Sequence, residues 1–550
     1  MWVIPAALIV GAWLYSSALH GRFVFDDETL LFRQGVQSAS SQEWLAGVRP
    51  VLMFSYWLNY RISGGDPYSY HTFNLLIHAV NTGLVFAVLL QLLGLAQWPR
   101  AKRHWAAALG ATVFLIHPLA TESVSYIAGR SESLAALFLL VAFAVYLDGF
   151  AKPISWARAA VVVTFFGLAV ATKENAVALA GLLLLTDLTW PRTHSLEGFR
   201  RNYRVYVLMT PGVVLAGVWV GRVLSGAPTA GFSLKGVTWY QYGFTEARAI
   251  FEYIRLAAIP IGQSMDHDFA VSHTLTEYGA IFYIALLALL ITTAILARQR
   301  YPLASYGFLM FLVLLAPTSS VIPIADPLVE RRMYLPMIGL IVMACQLASR
   351  RRWSPGLVSV VVVMLMVFGY LCYQRNQMWG NPEQLWASAV QSSKAKARPY
   401  VGLVESLIAV KRCAEAIPYL ERGEALMPND SMIQLAWGKA LECQGKREEA
   451  LQRLQRAASI LPNSSIYQLI GLLCGEMGKQ EEAGAALRMA TQLAPENSSA
   501  HSALGLWYEA AGDTAGAEQE FNQALSSSAY NIEAQTGLAR IHSASASVRP

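Results

Sequence analysis

Charge is scarce in this chain. Asp, Glu, Lys and Arg make up 14% of its 550 residues, where an ordinary soluble protein carries about 25%. The 42 basic and 36 acidic residues leave a formal charge of +6. No tract or stripe gathers the basic ones, which excludes a nucleic-acid surface. Cysteine is rarer still, with five in all. An odd count without paired spacing argues against a disulfide framework and against a zinc site. Cys413, Cys443 and Cys474 fall on repeat helices, where small apolar residues pack. No basic residue precedes the first apolar run and no small-x-small site follows it, so residues 2–19 read as a retained membrane helix rather than a cleaved signal.

What is present is apolar sequence, at 55% of residues and a mean hydropathy of +0.38. A helix needs about 20 apolar residues to cross a bilayer. Eleven segments approach this: 2–19, 72–95, 105–118, 132–148, 157–172, 175–190, 204–224, 277–297, 303–317, 333–348 and 355–373. Alternate loops between them are basic, at 100–103, 152–158, 192–204, 298–300 and 350–352. Excess Lys and Arg remain in the cytoplasm. The amino terminus is therefore expected inside, and an odd number of spans places everything after Tyr373 outside. The stretch 49–62, with basic ends and an aromatic middle, suits a helix lying along the membrane surface. Residues 243–262 read as a second such helix or as a further span.

Beyond about residue 397 the pattern becomes periodic. Ala416, Ala450, Ala483 and Ala517 recur at 34, 33 and 34 residues, and Gly438, Gly471 and Gly505 and Pro428, Pro462 and Pro495 keep the same period. This matches the tetratricopeptide repeat, with small residues where paired helices touch. Four units are expected, at about 397–430, 431–463, 464–497 and 498–531, with 532–541 as a capping helix. Such stacks offer a groove to peptide segments, and a purely structural array is the alternative. The expected division is a membrane domain at 1–373, a linker at 374–396, repeats at 397–541 and a tail at 542–550.

Chemistry-bearing residues gather in the loops assigned to the outside. Asp26-Asp27 lies just beyond the first apolar run, where a carboxylate pair either faces a reaction or is a solvated helix end. The loop after the third run holds His117, Thr121, Glu122, Tyr126, Arg130 and Glu132, an expensive set at membrane depth unless it faces a cavity. His117 and Glu122 do not match a metal-ligand spacing. Lys173-Glu174 is either an ion pair holding a turn or part of a phosphate site. Glu330-Arg331-Arg332 puts two arginines outside, against the charge rule. Binding an anion would account for them, since guanidinium forks match phosphate oxygens. A salt bridge from Glu330 to either arginine is compatible with that.

The order of these motifs resembles one family. Asp26-Asp27, Arg49-Pro50, Asn59-Tyr60, His71-x-x-Asn74-x-x-x-His78, His117-Pro118-x-x-Thr121-Glu122, Gly129-Arg130-x-Glu132, Lys173-Glu174, Glu330-Arg331 with Tyr334-Leu335-Pro336, and then the repeats, are similar to the transmembrane and tetratricopeptide repeat-containing O-mannosyltransferases and their bacterial relatives. The resemblance implies an all-α chain, with a GT-C glycosyltransferase bundle of about eleven membrane helices followed by the repeat solenoid. It implies a polyprenyl-phosphate-linked sugar as donor substrate, a protein or peptide acceptor met by the repeat groove, and no metal. Asp27 or Asp26 would take the proton of the acceptor hydroxyl. Arg331 or Arg332, with Lys173 or Arg130, would hold the leaving phosphate, and Glu122, His117, Glu174, Tyr334 and Arg49 would line the pocket. A bacterial cytoplasmic membrane is the expected location. A non-enzymatic membrane scaffold carrying repeats is the alternative. A transporter is disfavoured, because the polar clusters gather at one face and no duplicated halves are visible.

Overall fold

Several long helices of this chain begin at a polar cap followed by proline. Asp66 accepts from the Tyr68 N–H ahead of Pro67, and Ser354 accepts from the Leu357 N–H ahead of Pro355. Each cap satisfies an N–H that the helix leaves open, and proline at the first position has none to lose. The computed structural model of the chain describes residues 3–30, 44–45, 48–190, 196–226, 230–232, 234, 236–349, 354–393 and 395–547. Among them the regular structure is helical, and one isolated bridge, Ala230 with Ile324, is the only extended pairing. Contacts divide the chain into two units, Met1–Phe23 with Ser41–Asn381, and Val24–Ser40 with Pro382–Pro550.

The first unit contains α1 (Val3–Leu14), α2 (Pro50–Ser63), α3 (Pro67–Leu95), α4 (Arg100–Ile116), α5 (Arg130–Leu147), α6 (Trp156–Thr172), α7 (Ala178–Thr189), α8 (Tyr203–Gly226), α9 (Trp239–Ala258), α10 (Ala280–Ala297), α11 (Pro302–Leu315), α12 (Met337–Ser349) and α13 (Pro355–Trp379). Each apolar segment expected from the sequence is helical over most of its length. Among the described residues four helices are long and apolar enough to cross a membrane, or up to six if each of two bent pairs is one span, and four shorter apolar helices accompany them. Arg192 and Arg350–Arg352, which entered the orientation argument, lie outside the described residues.

Burial sorts these helices. The apolar window of α5 is 72% buried, whereas those of α10 and α13 are 11% buried and turn their Leu, Ile and Val side chains outward. Gly307 of α11 and Gly339 of α12 face each other so closely that a Cβ on either would strike the other's backbone. Small residues at such crossings bring membrane helices into van der Waals contact. Helix α2 buries Leu52, Ser55, Tyr56 and Asn59 and exposes Phe54, Leu58 and Ile62. That is an inward face at helical spacing and an apolar outer stripe.

The second unit contains α14 (Pro382–Ser392) and the pairs α15 (Arg398–Ala409) with α16 (Ile417–Leu426), α17 (Ser431–Cys443) with α18 (Arg447–Ile460), α19 (Ser464–Glu476) with α20 (Gln480–Leu493) and α21 (Ser498–Ala510) with α22 (Thr514–Ser527), followed by α23 (Ile532–Ser547). The periodic alanines Ala416, Ala450, Ala483 and Ala517 are fully buried. A Cβ on Gly438, Gly471 or Gly505 would strike Leu454, Leu487 or Phe521 of the partner helix. A repeated bond adds to this, with Ser431, Ser464 and Ser498 donating to the carbonyls of Ala457, Ala490 and Ala524 at 2.8–2.9 Å.

One expectation is corrected here. Cys413 and Cys443, read as unpaired core residues, form a disulfide with their Cα atoms 6.1 Å apart. Their separation of 30 residues is close to one repeat, so stacking brings together two positions that no local spacing marks as partners.

Candidate functional site

Proline 118 ends α4, because its ring cannot continue the hydrogen-bond ladder. The chain bends by 55° there and continues into the short helix Thr121–Ser125. The bend delivers Glu122, 1% exposed, to the turn Glu330–Met333. Arg331 Nη1 donates to Glu122 Oε1 at 2.6 Å, and the Arg331 backbone N–H donates to Oε2 at 2.9 Å. Burial works against the charged guanidinium, but the Glu122 carboxylate outweighs it and raises the Arg331 pKa.

The turn is fastened from α9, where the Tyr253 hydroxyl donates to the Val329 carbonyl and accepts from the Val329 N–H. Its three charged residues point in three directions. Glu330 accepts from Gln263 Nε2, the Ser264 N–H and His267 Nε2 at 2.6–2.8 Å. Arg332 donates to the carbonyls of Asp326 and Pro327, with Glu246 Oε1 4.0 Å from its Nη1. These bonds send Glu330 toward the 263–267 segment rather than into a salt bridge with its neighbours, since a tight turn fans out successive side chains.

Two more ion pairs stand on the turn after α6. Lys173 Nζ lies 2.5 Å from Glu132 Oε1, and Asn175 Nδ2 donates to the other oxygen. Arg49 grips Glu174 with Nε and Nη2, at 3.0 and 2.5 Å. Burial pushes the Glu174 carboxyl up, yet the Arg49 guanidinium more than reverses this and holds it at about 2. Lys173 is pulled below the usual lysine value by burial, against the attraction of Glu132. Arg49, Lys173 and Arg331 also feel one another's charge, so Arg49, Lys173, Glu174, Glu122 and Arg331 belong to one electrostatic cluster.

Beside this cluster is a small hollow of about 20 Å³. Its polar wall is Glu132, Asn175 and Arg332, and its other wall is apolar, with Ala135, Leu139, Leu314, Leu335 and Pro336 among the lining residues.

Three expected site residues are drawn elsewhere. Arg130, fully buried, donates to Asn74 Oδ1, Ser55 O, Asn59 Oδ1 and Tyr70 O and lies over the Tyr56 and Phe73 rings. That full set of donors ties the start of α5 to α2 and α3. His117 Nδ1 accepts from the Leu119 N–H, so its Nε2 carries the proton and donates to the Ala257 carbonyl at 3.0 Å. The Tyr334 hydroxyl meets His78 Nδ1 at 2.8 Å and Asn81 Nδ2 at 3.1 Å inside the bundle.

Asp26 and Asp27 belong to the second unit, in the turn Phe25–Thr29. Asp27 is buried and its Oδ2 accepts from the Val24 N–H at 3.1 Å, whereas Asp26 is exposed. Phe25, at φ +53°, sits in the left-handed region and packs its ring against Trp386 and Arg398. A bulky residue there is held at a cost of about 1–3 kcal/mol, a strain that concentrates at functional turns.

Sequence reasoning missed Glu246, Asn175 and Arg375 as members of this neighbourhood. Glu246 falls in the stretch 243–262, whose pattern points to a helix along the membrane surface or a further span and singles out no one residue. Arg375 carries the signal that picked out Arg331, a guanidinium placed outside against the charge rule, but it lies just past the last apolar run.

Fold and site together define an all-helical membrane protein with a tetratricopeptide solenoid. No family model matches the chain. It is similar to human protein O-mannosyl-transferase TMTC4, 24% identical over 489 residues that cover 75% of this chain and 65% of that protein. It is also similar to human protein O-mannosyl-transferase TMTC3, at 22% over 457 residues, 73% of this chain and 47% of that one. Protein O-mannosyl-transferase F38B6.6 of Caenorhabditis elegans matches at 23%, over 71% of this chain and 57% of its own length. The chain thus spans about half to two-thirds of the length of these relatives. Among solved structures, the tetratricopeptide protein TTC0263 of Thermus thermophilus aligns with 33% of this chain and 95% of its own, at 17% identity and a TM-score of 0.27. MamA aligns with 26% and 85%, at 20% identity and a TM-score of 0.24.

Proposed function

We propose that this chain is a membrane glycosyltransferase that moves a hexose, mannose in the first instance, from a polyprenyl-phosphate donor to a Ser or Thr hydroxyl of an extracytoplasmic protein. The observation that carries the reading is the cation cluster, in which Arg49, Lys173 and Arg331 are each held on a buried or half-buried carboxylate and close enough to feel one another's charge. Similarity to proteins named protein O-mannosyl-transferases supports the same chemistry.

The reaction is one displacement. The acceptor oxygen bonds to the anomeric carbon and the bond from that carbon to the phosphate oxygen breaks, inverting the configuration. A carboxylate of the Asp26-Asp27 pair takes the hydroxyl proton. Arg331 or Arg332, with Lys173, holds the charge left on the prenyl phosphate. Arg331 and Lys173 are already paired with Glu122 and Glu132, which keeps them charged and oriented until the donor arrives. The repeats recruit the acceptor polypeptide through their groove. The protein lies in a bacterial cytoplasmic membrane, with its amino terminus inside and the repeats outside.

The test is transfer by purified protein from polyprenyl-phosphate mannose to a Ser/Thr-rich peptide. Asp26→Asn is expected to lower transfer by about 100-fold or more with little change in melting temperature, because Asp26 is exposed. Asp27→Asn is expected to lower both, because Asp27 anchors its own turn. Full transfer by both variants removes the base assignment, and no transfer by the wild type with any hexose donor removes the reading.

A further inference from the structure

The last turn of α13 carries an arginine that no carboxylate holds. Arg375 is 5% exposed, and its Nε and Nη2 groups have no hydrogen-bond partner. Its Nη1 touches only the sulfur of Met378, at 3.7 Å, and the guanidinium carbon stands 5.8 Å from the Trp379 ring. Among the described residues it forms no ion pair. Glu330 feels its charge but spends its oxygens on Gln263, Ser264 and His267. One turn further on, Trp379 is 2% exposed and its Nε1–H also lacks a partner.

Residues at i and i+4 share a helix face, so these orphaned groups form one set. All three are N–H donors, and among the described residues none of them meets an acceptor. Burying an unpaired guanidinium is among the costliest arrangements a fold can keep. A cation–π contact at this distance offsets only part of that cost.

The place of this set in the fold says what it could serve. The Trp379 ring stacks on Tyr126 at 5.7 Å, and the Arg331 guanidinium lies over Tyr126 at 5.8 Å. Ser125 donates to Asn376 Oδ1 at 2.5 Å, fastening this end of α13 to the helix that carries Glu122. Gly21 lets the chain pass against the Trp379 carbonyl, where a Cβ would come within 2.8 Å of the oxygen. The turn is therefore held in place by packing that does not use the orphaned donors.

We propose that Arg375 and the Trp379 indole N–H form an oxyanion site that receives a phosphoryl group, the prenyl phosphate of the donor if the reading above is right. The same chemistry is offered by free phosphate, and the probes separate the two.

The experiment measures, on the purified full-length protein, binding of farnesyl phosphate, farnesol and inorganic phosphate, and the melting temperature without ligand. Farnesyl phosphate is expected to bind the wild type and farnesol to bind far more weakly. Arg375→Met is expected to weaken farnesyl phosphate about ten-fold or more, with farnesol unchanged, and Trp379→Phe about three-fold. The ligand-free melting temperature of Arg375→Met is expected to equal or exceed that of the wild type, because an unpaired buried charge has been removed. If the variant melts well below the wild type, or binds farnesyl phosphate as the wild type does, the site is overturned while the glycosyltransferase reading stands. If the wild type binds inorganic phosphate through Arg375 but not farnesyl phosphate, the site stands and the lipid donor falls. If the wild type binds neither phosphate, the site is overturned.

Discussion

Two carboxylates of the first unit show how burial and a partner trade against each other at single residues. Glu174 is gripped twice by Arg49 and falls to about 2, so its contribution to stability is present above its unfolded value and is lost only as acid approaches pH 2. Glu246 on α9 is 1% exposed, and Arg332 stands 4.0 Å away. Burial wins there, and the pKa rises from 4.5 to about 7. Between those two values the folded protein keeps a proton that the unfolded chain has released. Stability from this residue therefore falls as pH rises through the window and is lowest above it. Glu246→Gln cannot ionise. Its melting temperature is expected to match the wild type at pH 5 and to exceed it by about 2 °C or more at pH 8. A wild-type advantage at pH 8 would instead mean an ionised Glu246 paired with Arg332.

At the scale of elements, one helix of the repeats carries the same substitution with opposite expected signs. A Cβ on Gly471 of α19 would sit 2.5 Å from Leu487 Cγ, whereas one on Gly475 meets nothing within 4 Å. Gly471→Ala is expected to destabilise the repeats by about 1–3 kcal/mol through overpacking. Gly475→Ala is expected to stabilise them by about 0.5–1 kcal/mol through lower chain entropy. Hydrogen exchange of the repeat amides in the full-length protein reads both, and equal effects would mean that the glycine period does not mark helix contact. Periodicity of this kind was legible in the sequence because each repeat solves the same packing problem at the same spacing. Apolar runs were legible for a similar reason, since lipid sets their length. The site was legible only as residue types. Which acid meets which base depends on where turns aim side chains, and Glu330, Arg331 and Arg332 are adjacent in sequence yet engage separate groups. Arg130, chosen on the sequence for a phosphate, is spent on Asn74, Asn59 and Tyr70. Arg375, not chosen, is a guanidinium beside the site with two of its nitrogens left open.

For the whole molecule the decisive question is which compartment the repeats occupy. The proposed orientation rests on basic loops alternating along the chain, and its consequence is an outside location for everything after α13. That location predicts that the disulfide between Cys413 and Cys443 is kept in cells, because such bonds persist in oxidising compartments and are reduced in the cytoplasm. An alkaline phosphatase reporter fused after Ser393 is therefore expected to be active in cells. A membrane-impermeant maleimide added to spheroplasts is expected to leave Cys413 and Cys443 unlabelled at first and to label both once an impermeant reductant has opened the bond. Cys345 and Cys372, on α12 and α13, are expected to resist the reagent throughout, since the bundle and lipid cover them. Labelling of Cys413 and Cys443 only after lysis, without reductant, would put the repeats in the cytoplasm. Transfer to extracytoplasmic proteins would then be untenable, because acceptor and solenoid would lie on opposite sides of the bilayer.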